Sequence, residues 1–177
     1  MRKVIFPIVG LIVILSVIAG CGRKSAEELY TLAEQLEKNE KFEDALVKYE
    51  RILVEYPETK LATDVNFKIA QIAGNLKQFQ KCVDAYSKIV EVDPQNKVAP
   101  KAQFMIGYIY ANELKKTDKA KIAYEKFLEN YSEVDSGMTA SANFELKFLG
   151  KDISEIDFLK NLTSDTPEEN AKAKKGN

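Results

Sequence analysis

The fold is decided by residues 63–99, which read TDVNFKIAQIAGNLKQFQKCVDAYSKIVEVDPQNKVA. The same residue types recur 37 residues earlier and 37 residues later at the same offsets. In the third set the second half arrives one residue late, because 112–117 holds an extra residue. A period in this range is typical of stacked supersecondary units. The matching sets are Leu32, Ile69 and Ile106; Ala33, Ala70 and Gly107; Ala45, Cys82 and Ala120; Tyr49, Tyr86 and Tyr124; and Ile52, Ile89 and Phe127.

Each repeat has the pattern of two amphipathic helices. In the first unit, Leu29 and Leu32 belong to an apolar stripe at spacings of three and four, and the pattern restarts at Phe42. Pro57 and Pro94 close the second helices of the first two units, because proline cannot continue the helical hydrogen-bond ladder. We therefore expect a helix, a short turn and a second helix in every unit.

A partial fourth unit follows, since residues 142–146 copy the pattern of 102–106. Its predicted role is a capping helix over the open end of the stack. Ser25 is the predicted N-cap of the first helix, with Glu28 as its capping-box partner. The sequence thus predicts an all-α fold of three full helix-turn-helix units and a partial capping unit.

These offsets resemble the tetratricopeptide repeat over about 26–150 of the sequence. The resemblance implies helix pairs that stack into a right-handed superhelix, with small residues where the helices pack closely. It departs from the family pattern at Cys82, at Ser132 in place of a closing proline, and at the extra residue after Asn112. The residues that carry it are Leu32-Ala33, Ala45, Tyr49 and Pro57; Ile69-Ala70, Tyr86 and Pro94; and Ile106-Gly107, Ala120 and Tyr124.

Residues 1–20 have the layout of an export signal, with a positive start, an apolar run over 4–18 and small residues at the end. A retained transmembrane anchor is the alternative. The run contains Pro7 and Gly10 and falls short of the roughly 20 residues that a spanning helix needs. We therefore predict that 1–20 is a cleaved signal peptide.

Residues 18–21, Ile-Ala-Gly-Cys, resemble the lipobox of bacterial lipoproteins. The resemblance implies cleavage between Gly20 and Cys21 and attachment of lipid to Cys21, which would then be the first mature residue. Acyl chains on that cysteine would anchor the protein stably at a membrane surface. Residues 21–25 would be the lipidated cysteine and a short tether. Gly22 in place of an aspartate favours the outer membrane.

Composition argues against catalysis and against nucleic-acid binding. The chain has no histidine, which removes the commonest general base and the commonest neutral metal ligand. The net charge of −1 becomes −3 once the two basic residues of 1–20 are removed, so no basic field can hold a phosphate backbone. No phosphate loop, metal-binding spacing or nucleophilic triad is present. We predict no catalytic residue, no metal site and no cofactor.

The repeat domain is predicted to span 26–162. Within its last part, the apolar residues of 153–159 have the composition of a short segment that folds back, and 163–177 is predicted to be a disordered tail. Cys82 occupies a position where the other units have alanine, so it is predicted to be a small buried residue rather than a reactive thiol. An acylated Cys21 could not form a disulfide with it.

One aromatic residue recurs at a fixed place in the first helix of every unit. In the tetratricopeptide family this place faces the concave groove, which implies a surface that takes a peptide through aromatic anchors. The alternative is that these side chains pack between neighbouring units and belong to the core. The ladder consists of Tyr30, Phe67, Phe104 and Phe144, and Gln71, Tyr108 and Phe148 lie one helical turn further along.

The sequence therefore predicts a non-enzymatic, lipid-anchored scaffold that binds envelope proteins or peptides in the bacterial cell envelope, at the periplasmic face of the outer membrane. The order of lipobox, tether and repeats is similar to the lipoprotein component of the outer-membrane β-barrel assembly machinery. The repeats are also similar to the C-terminal part of the periplasmic factor of the Tol-Pal system. Alternatives are a self-associating structural lipoprotein and a cell-division accessory factor linked to Tol-Pal or peptidoglycan.

Overall fold

A computed structural model describes residues 22–151 of the protein. The described residues form seven helices and no strand, which confirms the all-α fold of three helix pairs and one further helix. The predicted signal peptide, Cys21, the segment 153–159 and the tail 163–177 lie outside the described residues. The helices are α1 (Ala26–Lys38), α2 (Phe42–Glu55), α3 (Ala62–Asn75), α4 (Phe79–Val92), α5 (Ala99–Asn112), α6 (Thr117–Tyr131) and α7 (Ser136–Phe148).

The chain divides inside α3 into two compact structural units, which differ from the sequence repeats described above. The first unit ends at Val65 and contains the hairpin of α1 and α2 together with the first turn of α3. The second unit begins at Asn66 and contains the rest of α3 and helices α4 to α7. Each unit therefore contains a packed helical hairpin with its own buried side chains.

The first unit begins with the predicted capping box. The Glu28 N–H donates to the Ser25 hydroxyl oxygen at 3.2 Å, and the Ser25 N–H donates to the Glu28 carboxylate at 2.8 Å. These bonds satisfy two backbone donors that a helix start would otherwise leave unpaired. Leu32, which the pattern places on the buried stripe, is only half-buried.

In the second unit, α5 packs against both α4 and α6, and α7 packs against α6. Helices α3 and α4 approach closely where the Cys82 sulfur lies 3.7 Å from the place that a Cβ on Gly74 would take. Cys82 is buried, as the repeat pattern predicted. Pro100 lies in the first turn of α5, where its missing N–H leaves no helical bond unmade.

The turns inside the three helix pairs share one backbone feature that the sequence pattern did not predict. Glu40, Lys77 and Lys115 have φ angles of 57°, 57° and 54°, in the left-handed region. Each is followed by the residue that precedes the second helix of its pair. The third turn has four residues instead of three, so it accommodates the extra residue without losing this conformation. Gly150, with φ 76°, adopts the same region after α7.

The close approach of α5 and α6 depends on Gly107. A Cβ at this position would lie 2.7 Å from Cδ1 of Tyr124, a ring that is 0% exposed and therefore cannot swing aside into solvent. Ala33 and Ala70, at the equivalent positions of the other pairs, are also fully buried. A small residue at this place thus permits the helix pair to close.

We predict opposite effects for two glycine substitutions in helices. Gly107→Ala should lower the free energy of unfolding by roughly 1 kcal/mol, because overpacking against Tyr124 outweighs the gain in helix propensity. Gly74→Ala is the matched control, since its Cβ would meet only the Cys82 sulfur at ordinary contact distance. It should raise stability by up to about 1 kcal/mol. Urea unfolding of the two variants measures this, and equal shifts would contradict the packing argument.

Burial of Cys82 predicts a loss of stability at alkaline pH. Desolvation raises the pKa of its thiol from 9.0 to about 11, and a backbone hydrogen bond with Gly74 has a smaller opposing effect. The unfolded chain therefore loses this proton at a lower pH than the folded chain does. The stability that the neutral, buried thiol contributes is fully present below pH 9.0 and is lost as pH rises toward 11. Over that range wild type should lose up to about 3 kcal/mol more stability than Cys82→Ala. Denaturant unfolding at a series of pH values measures the difference, and parallel curves would exclude this cause.

Candidate peptide-binding surface

In the first unit, the ladder residue Tyr30 is half-buried on α1. Its ring meets that of Tyr49 on α2 edge to face, with 5.4 Å between centroids. Tyr49 is fully buried and its hydroxyl donates to the Glu37 carboxylate at 3.1 Å. Burial raises the pKa of both tyrosines, so both hydroxyls stay neutral. Tyr30 therefore has one face held by its own helix pair.

In the second unit, Phe67 and Phe104 repeat this arrangement. Phe67 on α3 meets the ring of Tyr86 on α4 at 5.9 Å, and Phe104 on α5 meets Tyr124 on α6 at 5.5 Å. Phe104 also contacts Phe127 at 5.7 Å. Both ladder residues are half-buried. Edge-to-face pairs of this kind add about 0.5–1.5 kcal/mol beyond area burial, so part of the ladder is structural.

The more accessible aromatic residues of the predicted site lie on α5 and α7. Tyr108 is 39% exposed and Phe144 is 46% exposed. Phe144 contacts Phe148, which is half-buried, with 4.7 Å between ring centroids. Gln71 on α3 is exposed. Tyr108 on α5 and the rings of Phe144 and Phe148 on α7 thus make up the aromatic surface of the second unit.

Lysines lie beside two rings of the predicted site, those of Phe67 and Phe148, and the sequence pattern did not identify these lysines. The Lys101 ammonium is 5.5 Å from the centroid of Phe67. The ammonium groups of Lys147 and Lys151 are 5.3 Å and 5.7 Å from the centroid of Phe148. A cation over an aromatic face is attracted by the ring quadrupole. Positive charge therefore lies beside Phe67 and Phe148.

Burial affects two neighbouring titratable side chains, Tyr124 on α6 and Glu145 on α7. The Tyr124 hydroxyl is buried and has no hydrogen-bond partner among the described residues. Desolvation raises its pKa, with the Glu145 carboxylate as the next cause. Desolvation also raises the pKa of Glu145. Burial of this hydroxyl excludes it from direct contact with a ligand in the described conformation.

The described part of the chain contains neither a metal-binding cluster nor a membrane-spanning helix. Between residues 22 and 151, no group of three or more histidine, cysteine or acidic side chains could hold a metal ion. None of the helices in that range is long and apolar enough to cross a bilayer. Gly20 and Cys21, the predicted cleavage and lipidation residues, precede the described range.

Two stretches of the chain match models of the tetratricopeptide repeat, at residues 63–96 and 101–133. The first covers α3 from Thr63 onward and all of α4, and the second covers α5 from Lys101 onward and all of α6. The helix pairs α3–α4 and α5–α6 thus match the tetratricopeptide repeat. Such repeats imply a scaffold for protein–protein interaction, a class that is typically not enzymatic. No curated protein matches the sequence significantly.

Solved structures share this fold at low sequence identity. PcrH from Pseudomonas aeruginosa superposes with a TM-score of 0.53 at 15% identity, over 69% of this chain and 89% of that chain. MamA superposes with a TM-score of 0.52 at 16% identity, over 75% of this chain and 80% of that chain. At these identities the likeness shows the helical-repeat fold and nothing about the ligand.

We predict that Phe104 and Tyr108, one turn apart on α5, differ in structural role. Phe104→Ala should lower the free energy of unfolding by about 2–4 kcal/mol, because it removes two ring contacts and leaves a cavity. Tyr108→Ala should cost only about 1 kcal/mol, because Tyr108 is 39% exposed whereas Phe104 is half-buried. Urea unfolding measures both. Equal costs would show that Tyr108 is part of the core.

Proposed function

We propose that the protein is a lipid-anchored scaffold of the bacterial cell envelope that binds protein segments through the aromatic surface of its second unit. The structural observation that carries the binding proposal is the exposure of Tyr108, on a helix that matches the tetratricopeptide repeat, and of Phe144 on α7. Aromatic side chains that are already ordered lose little entropy when they bind. The partner would be an envelope protein or peptide.

The anchor is supported by the sequence of residues 18–21, which resembles a lipobox and is separated from α1 by only four residues. An acyl chain at Cys21 would confine the repeats to a membrane surface and raise their effective concentration toward partners there. The absence of aspartate after Cys21 supports the periplasmic face of the outer membrane. The resemblance to the β-barrel assembly lipoprotein suggests outer-membrane protein assembly as the pathway.

The anchor predicts a specific product in a bacterium that processes lipoproteins. The full chain should be recovered in the membrane fraction, with a mature N-terminus at Cys21 that carries acyl groups in intact-mass spectra. Cys21→Ser should remain unprocessed and unacylated, because serine has no thiol for the lipid-transfer step. Wild-type protein that is soluble, or that lacks lipid on Cys21, would refute the anchor.

Binding through the aromatic surface predicts that Tyr108→Ala and Phe144→Ala each weaken partner binding about tenfold or more. Ile122→Ala is the matched control, because Ile122 is an exposed apolar residue on α6 outside the ladder. Crosslinking in intact envelopes identifies partners, and titration of a purified partner measures affinity. An equal effect of Ile122→Ala would contradict the assignment of the surface, and capture of the chain by itself alone would favour self-association.

A further inference from the structure

The residues that connect Cys21 to α1 are fastened to the end of α2. The Arg23 guanidinium donates from Nε to the Glu55 carboxylate at 2.8 Å and from Nη2 to the Glu55 carbonyl oxygen at 3.2 Å. Its Cζ lies 5.0 Å from the centroid of the Tyr56 ring. The Tyr56 hydroxyl in turn donates to the carbonyl oxygen of Lys24 at 2.5 Å. Four contacts therefore connect two tether residues to two residues at the C-terminal end of α2.

The contacts of Arg23 and Lys24 with Glu55 and Tyr56 form a clamp, and its acceptor, the Glu55 carboxylate, is itself held in place. Arg51, one turn earlier on α2, donates to the other oxygen of the Glu55 carboxylate at 2.6 Å. Hydrogen bonds from Arg51 and then Arg23 lower the pKa of Glu55, so the carboxylate stays ionised near neutral pH. A guanidinium combines directional hydrogen bonds with stacking on an aromatic face, which orders it more than a lone charge pair would.

The clamp has a consequence for the anchor, and that consequence rests on the proposed lipidation. Cys21 precedes Arg23 by two residues, and two residues of fully extended chain span at most about 7 Å. A lipid on Cys21 would therefore enter the bilayer next to the C-terminal end of α2. The turn at residues 39–41, at the other end of the hairpin, is separated from this end by the 13 residues of α1, or about 20 Å.

We propose that contacts of Arg23 and Tyr56 fix the orientation of the first unit on the membrane, with the turn at residues 56–59 against the lipid surface and the turn at 39–41 directed away from it. Without the clamp, the residues before α1 would act as a flexible linker and the hairpin could present any side to the bilayer. With the clamp, the lipid anchor sets position and orientation together. This surface faces a phospholipid headgroup layer and needs no protein partner.

The absence of tryptophan from the chain permits a direct test. Single-tryptophan variants Glu58→Trp and Lys38→Trp place a probe at the two ends of the hairpin, since both residues are exposed. The full-length, lipidated variants are reconstituted into phosphatidylcholine vesicles that contain a dansyl-headgroup lipid. Energy transfer from Glu58→Trp should exceed that from Lys38→Trp. Adding Arg23→Ala should reduce this difference, because the tether is released.

Lys41→Ala is the matched control, because it removes an exposed positive charge from the same unit at a distance from Arg23, Glu55 and Tyr56. It should leave the difference in energy transfer intact. Mass spectra that detect lipid on Cys21 separate the proposed anchor from the proposed orientation. Absence of lipid overturns the anchor and the orientation together. Lipidated protein with equal transfer from both probes, or with a difference that Arg23→Ala leaves unchanged, overturns the orientation alone.

Discussion

The close approach of two helices at a small residue is the constraint on which each helix pair depends. In the third pair, the Tyr124 ring occupies the space that a side chain at Gly107 would need. Protein interiors are packed densely enough that such contacts leave little room for change. The small residues Ala33 and Ala70 are buried at the equivalent positions. The same packing requirement therefore explains why a small residue recurs here in each of the three helix pairs.

The packing of these pairs also shapes the candidate binding surface. The tyrosine on each second helix packs against the ladder aromatic on the first helix, as in Phe67 with Tyr86. A ladder ring therefore has one face committed to its own pair and another face partly open to solvent. The ladder residues do not share one environment, so groove or core must be decided for each of them. Phe104 has two ring contacts with α6, whereas Phe144 is 46% exposed.

Some of this geometry was present in the sequence as a spacing. Tyr30 and Tyr49 are separated by 19 residues, as are Phe67 and Tyr86, so the pairing of ladder rings with buried tyrosines could have been predicted. The left-handed turn residues could not, because Glu40, Lys77 and Lys115 are ordinary polar residues and none is a glycine. The conformation there follows from the helices that the turn must connect, and it overrides the local preference for negative φ.

Sequence alone was sufficient for the repeat, the helix order and the small-residue positions, because each of these depends on hydrophobic period and local chain chemistry. The contacts of Arg23 with Glu55 and Tyr56 join residues 32 and 33 positions apart, and no local pattern predicts them. Only the packing of α1 against α2 brings the start of α1 and the end of α2 together at the tether. In the same way, the exposure of Tyr108 and Phe144 depends on which helices cover them, a property of the folded chain rather than of the residues themselves.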